Sequence, residues 1–222
     1  MAPIAPASCV RCGNCCRSGG PALHLEDRRL VIDGVIHTRH LFTIRPGETA
    51  RDPVRGGLVR AAADIIKIKG CEGAWSCRFF DAQTAACRIH ADRPLECRAL
   101  DCRDPSRLEA LYREGRLGRA DLISGVEGLW DLVADHDRRC DCRHARRLLT
   151  QPGPGAERDL AGMIRYDEEL RRLMVGRGGL EADMLEFLLG RPMSLVVRLM
   201  RTETEPAGRA GDAPPAGLTE GT

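Results

Sequence analysis

The sequence of 222 residues predicts an α+β fold, in which a small, loop-rich module with short strands packs on a mostly α-helical C-terminal half. Three observations indicate this division. Most of the cysteines fall within residues 9–102, among glycine, proline and polar turn formers. Two β-branched runs in the same part of the chain, Leu41–Ile44 and Ile65–Ile68, predict short strands. Beyond residue 103, apolar residues recur at helical spacing.

The predicted organisation has three parts: a cysteine module at residues 9–102, a helical region packed on it at residues 103–201, and a disordered tail at residues 202–222. One helical turn is expected after Pro94, within the module, and another helix is expected to start at Asp104 and Pro105. Apolar spacing predicts further helices that end at Gly176 and just before Gly190, and a short last one after Pro192. The tail is rich in proline, glycine, alanine, threonine and acids, which is typical of disorder.

Composition excludes several classes of protein. Lys and Arg number 34 against 32 acids, and only 4% of residues are aromatic, which argues against a nucleic-acid platform. No run approaches the ~18 apolar residues of a membrane span. Residues 1–8 have neither a basic segment nor a long apolar stretch, so no secretory signal is predicted and a cytoplasmic location is expected.

The eleven cysteines are the informative residues. In a reducing cytoplasm, many closely spaced thiols indicate metal or redox chemistry rather than disulfides. The run Cys9-x2-Cys12-x2-Cys15-Cys16 contains the C-x2-C turn, which directs two sulfurs at one ion, and glycine after the second cysteine suits that turn. Two adjacent cysteines are not expected to reach one ion without strain. One of Cys15 and Cys16 is therefore expected to join Cys9 and Cys12, while the other serves a second site or bridges.

Four more predicted ligands follow at Cys77, Cys87, Cys97 and Cys102. Eight thiols suit two four-thiolate centres, or one iron–sulfur cluster with spare thiols. The first run departs from the C-x2-C-x2-C-x3-C pattern of ferredoxins at its fourth position. The pattern therefore predicts zinc or iron without deciding between them.

The neighbours of the cysteines support this interpretation. Eight of the eleven cysteines adjoin an arginine, so guanidinium groups are expected to offset the charge of metal-bound thiolates. Trp75, Phe79 and Phe80 are expected to form an apolar shell around the sulfurs.

A few candidates stay open. Cys71, Cys140 and Cys142 fit either ligands or buried thiols. His136, Cys140 and His144, spaced four residues apart, could form an accessory site, although a continuous core face of the helix is favoured.

The chain resembles the YkgJ-type cysteine-cluster family, whose members are described as zinc or iron chelators. The resemblance rests on the Cys9–Cys16 run, on Cys77-Arg-Phe-Phe80, on the stretch from Cys87 to Pro94, and on Cys97 and Cys102. It covers residues 9–102 closely and implies metal chelation. The family pattern often has Tyr at position 90, where this chain has His90, so a role of His90 in metal binding stays open.

Three functions are compatible with these observations. The first is a non-catalytic protein that holds zinc or iron through thiolates for structure, storage or delivery. The second is an iron–sulfur enzyme or electron carrier; a related cysteine cluster in a flagellin lysine methylase suggests protein modification. The third, a thiol–disulfide oxidoreductase, is less favoured because the C-x2-C pairs overlap and lack a βαβ context.

Overall fold

The computed structural model describes residues 12–52, 56–71 and 75–204. Within these residues the fold is α+β, with short strands in the first half and helices dominating the second. The helices are α1 (Asn14–Arg17), α2 (Arg28–Ile32), α3 (Leu95–Ala99), α4 (Ser106–Leu111), α5 (Arg119–Ile123), α6 (Leu129–Arg139), α7 (Cys142–Thr150), α8 (Ala156–Gly176), α9 (Leu185–Leu188) and α10 (Met193–Thr204). Single 3-10 turns lie at Leu25–Asp27, Thr38–His40 and Ala182–Met184. No helix in the described part of the chain combines the length and apolar character needed to cross a membrane.

The strands form three antiparallel pairs among the described residues. They are β1 (Leu41–Ile44), β2 (Thr49–Arg51), β3 (Leu58–Arg60), β4 (Ile65–Ile68), β5 (Phe80–Asp81) and β6 (Ala86–Cys87). The two predicted strands are confirmed with their bounds and pair with each other, Leu41 opposite Ile68 and Ile44 opposite Ile65. β2 pairs with β3, and β5 with β6.

The larger core is built around the β1–β4 pair and takes side chains from both halves of the chain. Leu41, Ile66 and Ile68 are buried in it, together with Val133 of α6 and Phe187 of α9. The hydroxyl of Thr43 donates to the carbonyl oxygen of Phe187 at 2.7 Å. The helical region therefore packs on the strands of the first half through a shared core.

A second core lies among α7, α8 and α10. It contains Cys140, Cys142, Ala145, Leu160, Met163, Met193, Val196, Val197 and Met200. α8 ends at Gly176, as its spacing predicts. α10 is longer than the short helix expected after Pro192, because Val196, Val197 and Met200 bury one face of it. It reaches Thr204, three residues into the stretch predicted as tail, and residues 205–222 lie outside the described residues.

The helix predicted to end before Gly190 is reduced to a 3-10 turn followed by the single turn of α9. Gly190 has a φ of +70°, and a Cβ there would lie 2.9 Å from Nε of the buried Arg45. The chain therefore turns at this glycine and leads into α10. α4 begins at Ser106, one residue after Pro105, and the amide of Ser106 donates to Oδ1 of Asp104.

One buried carboxylate ties three helices together. Asp167 of α8 accepts hydrogen bonds from Nε2 of His136 on α6 at 2.8 Å and from the amide of Met193 in α10 at 2.9 Å. Nε of Arg171, one turn further along α8, donates to it at 3.0 Å. Burial raises the pKa of Asp167, but these hydrogen bonds and the charge of Arg171 outweigh it and bring the pKa to about 2.

We expect Asp167→Asn to lower the free energy of unfolding by about 2 kcal/mol near pH 6. A carboxyl whose folded pKa lies below its ordinary value of 3.8 stabilises the fold above about pH 4. That contribution is lost as the pH falls towards 2, so the curves of the two proteins should converge there. Urea unfolding from pH 6 to pH 2 measures this difference. Glu168→Gln, an exposed change on the same helix, should leave the curve unchanged; a constant difference across the pH range for Asp167→Asn would contradict the assignment.

Candidate metal centre

A cavity of about 310 Å³ lies between α1, the β5–β6 hairpin and α3. Seven of the eight predicted ligands line it: Cys12, Cys15, Cys16, Cys77, Cys87, Cys97 and Cys102. The eighth, Cys9, lies outside the described residues. Cysteines separated by up to 90 residues in the chain therefore line the same cavity.

The first group of cysteines is placed by a tight turn at Gly13. Gly13 has a φ of +77°, and a Cβ there would lie 2.6 Å from Cζ of Phe80. The position therefore needs glycine both for its left-handed backbone and for the close approach of the aromatic ring. α1 begins immediately afterwards, and the amide of Arg17 donates to the carbonyl oxygen of Gly13 at 2.9 Å.

Cys15 and Cys16 follow each other in α1, with their Sγ atoms 3.9 Å apart. Four sulfurs bound at about 2.3 Å around a tetrahedral zinc ion are about 3.8 Å from one another. The observed separation therefore fits two ligands on one ion. Cys15 and Cys16 can bind the same centre, and the expectation that they must serve different centres does not hold.

The second group is placed by backbone hydrogen bonds to the first group and to the residues that follow β4. The amide of Cys77 donates to the carbonyl oxygen of Cys16 at 2.7 Å, and the amide of Arg78 donates to that of Lys69 at 3.0 Å. Phe80 of β5 then pairs with Cys87 of β6. These hydrogen bonds position Cys77 and Cys87 at the cavity, next to α1.

Cys97 is brought in by α3, the helical turn predicted after Pro94. The helix is anchored at its start, where the amide of Leu95 donates to Oδ1 of the fully buried Asp27 at 2.8 Å. Cys102 lies in the turn after α3 and, like Cys12, is exposed. The two therefore form the outer rim of the cavity, while the other five sulfurs lie deeper.

The inner thiols are close enough to oppose one another's ionisation. Burial, and next the neighbouring Cys15, raise the pKa of Cys16 to about 12. Burial likewise raises the pKa of Cys77, and it raises that of Cys97 well above the ordinary value, with further contributions from nearby thiols. Several thiolates at such distances need a cation among them. A donor set made of sulfur suits soft or borderline metals such as zinc and iron, so these residues fit the predicted metals.

The expected apolar shell around the sulfurs is formed by two of its three predicted residues. Phe79 and Phe80 are buried in the larger core, and the Arg17 guanidinium lies 4.8 Å above the centre of the Phe80 ring. Trp75 is 83% exposed, so the prediction that it shields the sulfurs is wrong. It precedes the backbone pairing that begins at Cys77, and its side chain projects from the loop into solvent.

Most of the arginines that adjoin cysteines in the sequence do not surround the cavity. Of the described ones in the first half, only Arg103 is among the lining residues. Arg88 donates to the carbonyl oxygen of Arg78, and Arg98 approaches Asp27. Neighbouring residues in a strand or a helical turn point in different directions, so adjacency in sequence did not predict adjacency to the sulfurs.

Of the remaining candidates, His90 lines the cavity, whereas Cys71, Cys140 and Cys142 lie outside its lining. Cys71 is next to the site, where its thiol contacts the carbonyl oxygen of Cys77 at 3.8 Å. Cys140 and Cys142 belong to the second core, and burial raises the pKa of both to about 12.

The suggested accessory site is not assembled as predicted. His144 is exposed and contacts Arg147, whereas His136 and Cys140 lie within 4.8 Å of Asp167. Because Asp167 already accepts hydrogen bonds from His136, Arg171 and the amide of Met193, a metal ion would have to displace them. The group is therefore a structural cluster, in agreement with the favoured core interpretation.

The lining also contains charged residues to which the sequence pattern assigned no role, including one lysine and one glutamate. Lys67 of β4 and Glu96 of α3 both face the cavity. The sequence offered one signal for the first, since Lys67 and Lys69 are the only lysines among 34 basic residues. Nothing in the sequence distinguished Glu96 from other surface acids.

Residues 8–112 match the family model of CxxCxxCC, whose description reads "Putative zinc- or iron-chelating domain". Searches of curated proteins and of solved structures give no match for the chain. The CxxCxxCC match includes all eight predicted ligands and ends just after α4, so it covers the whole cavity and leaves α5 to α10 outside. Chelation of zinc or iron is the function that the family description gives to this domain.

We expect Gly13→Ala to reduce bound metal and to destabilise the CxxCxxCC domain. The left-handed backbone costs about 1–2 kcal/mol for alanine, and the contact with Phe80 adds to it. Gly34→Ala is a matched control, because Gly34 has a φ of +76° and open space around its Cβ position. Metal content and thermal unfolding of the two variants separate backbone strain from the clash. Equal effects of both substitutions would show that the packing of Phe80 against Gly13 does not position the cysteines.

Proposed function

We propose that the protein binds zinc or iron through the thiolates of its CxxCxxCC domain, in one centre or in two adjacent centres. The proposed ligands are Cys9, Cys12, Cys15, Cys16, Cys77, Cys87, Cys97 and Cys102. The observation that carries the proposal is the convergence of seven of these cysteines, from separate segments of the chain, on one cavity. Residues 9–102 would then be the metal-binding module and residues 103–201 the helical region packed on it.

The burial of the inner thiols explains why a metal would bind strongly here. Thiols bind metal as thiolates, so metal binding releases protons and draws together groups that otherwise repel. The inner sulfurs lie next to the buried rings of Phe79 and Phe80, where water competes weakly for the ion. The rim cysteines, Cys12 and Cys102, face solvent and would let a thiol ligand from solution reach the centre. An open rim favours storage or delivery of metal over a sealed structural site.

The alternative is an iron–sulfur centre in an electron carrier or in an enzyme that modifies proteins. The observation in its favour is the size of the cavity. Its 310 Å³ is about ten times the volume of one water molecule in the liquid, which exceeds the need of a single ion. The close pair Cys15 and Cys16 would suit ligands on neighbouring iron atoms. A reducing compartment such as the cytoplasm would keep the thiols available for either kind of centre.

Anaerobic isolation from the native host, followed by metal analysis and a visible spectrum, separates the two. We expect bound zinc or iron at one or two ions per chain without acid-labile sulfide. A brown protein that contains acid-labile sulfide would replace the first proposal by the iron–sulfur alternative. A chain free of both metals after such isolation would contradict both.

We expect Cys97→Ser to weaken zinc binding by at least about tenfold, because it removes a thiolate from the deep side of the cavity. Competition with a chromophoric chelator measures the affinity. Cys140→Ser is the matched control: Cys140 is buried in the second core, where its thiol contacts the carbonyl oxygen of Met163 at 3.7 Å. A serine hydroxyl can make the same contact, so zinc binding should be unchanged. If both variants lose zinc equally, the loss reflects unfolding and the ligand assignment fails.

A further inference from the structure

Lys67 is a lysine of β4 that lines the metal cavity beside the cysteines. It lies in β4 between Ile66 and Ile68, whose side chains are buried in the larger core. Side chains alternate along a strand, so Lys67 points away from that core, and it is among the residues that line the cavity. Burial lowers its pKa, while nearby acids oppose this change. An ammonium group is thus held beside the thiols and largely out of water.

Glu96, the carboxylate that acts most strongly on Lys67, already has a cationic partner. Glu96 accepts from Nη1 of Arg116 at 2.8 Å through Oε1, and from the amide of Ala22 at 2.8 Å through Oε2. Among the described residues, no hydrogen bond or ion pair joins Lys67 to an acid. The other groups that raise its pKa are the thiols of Cys97 and Cys77. One positive charge therefore remains on this wall after Glu96 and Arg116 have neutralised each other.

The two arginines of the lining are less suited to this role. Arg93 donates to the carbonyl oxygen of His90, and the side chain of Arg103 is 79% exposed beside Asp101. Water and salt screen an exposed charge, whereas a charge on the inner wall acts through a medium of lower polarity. A zinc ion held by four thiolates carries a net charge of about −2, so a cation nearby stabilises the bound state.

We infer that the Lys67 ammonium offsets the negative charge of the thiolate–metal centre and thereby strengthens metal binding, an inference that rests on the proposed function. Lys67 is not a metal ligand in this inference; it acts only through its positive charge. Its removal weakens binding without changing the number of ions bound.

Zinc competition with a chelator, on the full chain, tests this inference with three substitutions. Lys67→Met keeps the length of the side chain and removes its charge, and it should weaken zinc binding about 10- to 100-fold at unchanged stoichiometry. Lys67→Arg keeps the charge and should recover most of the affinity. Lys69→Met is the control, because Lys69 lies just after β4, pairs with Glu186 at 2.8 Å and is not among the residues that line the cavity. It should bind zinc as the wild type does.

The outcomes are distinct. If Lys67→Met binds zinc as tightly as the wild type, or if Lys67→Arg is as weak as Lys67→Met, charge compensation by Lys67 is refuted while the proposed function stands. If the wild type itself binds neither zinc nor iron, the proposed function fails, and the inference with it.

A second measurement requires no substitution. Amine-reactive labelling followed by mass spectrometry can follow both lysines, since the chain contains only Lys67 and Lys69. Zinc should protect Lys67 from the reagent relative to the metal-free protein and leave Lys69 unaffected. Equal labelling of Lys67 with and without zinc would overturn the inference.

Discussion

The structure of the first half depends on the gathering of cysteine sulfurs around one cavity. Thiols packed this closely resist ionisation, because burial and mutual repulsion both raise their pKa values. A bound cation reverses the balance by turning repulsion among thiolates into attraction to the ion. Structural zinc contributes about 10–16 kcal/mol in small domains, whereas a whole domain is stable by only about 5–15 kcal/mol. Under the proposed function, a bound metal would therefore add substantially to the stability of this region.

The segments that line this cavity are also held together by interactions in which no cysteine side chain takes part. Gly13 admits the ring of Phe80, and the backbone bond from Cys77 to Cys16 joins segments 61 residues apart. Buried carboxylates do the same for α3: Asp27 holds its first amide, and Glu96 links it to Ala22 and Arg116. The cysteines therefore sit on a framework that is already hydrogen-bonded. Such a framework limits how far the sulfurs can separate when the metal leaves.

The sequence predicted those features that depend on local pattern. The strands at Leu41–Ile44 and Ile65–Ile68, the turn after Pro94 and the convergence of the cysteines all follow from spacing and residue type. It failed where the direction of a side chain decides the outcome. Trp75 points into solvent, and the arginines beside the cysteines mostly point away from the sulfurs. Direction depends on pairing with distant segments, which a pattern of neighbours does not contain. Lys67 was missed for the same reason: the sequence places it opposite Ile66 and Ile68 on β4, but the cysteines on its side of the strand come from distant segments.

Two kinds of cysteine environment in one chain explain why spacing alone could not assign every thiol. Cys140 and Cys142 are as close in sequence as many metal ligands, yet they lie in an apolar core beside the buried Arg45, which donates to the carbonyl oxygen of Cys140 at 3.3 Å. In the cavity, by contrast, the cysteines lie close to one another, and the carboxylate of Glu96 beside them is already paired with Arg116.

β4 and the residue after it contact both halves of the molecule. Lys67 faces the cavity, and two residues later Lys69 binds Glu186 and the carbonyl oxygen of Asp183 in the helical half. The short segment from Lys67 to Lys69 therefore contacts the cavity with one lysine and α9 with the other.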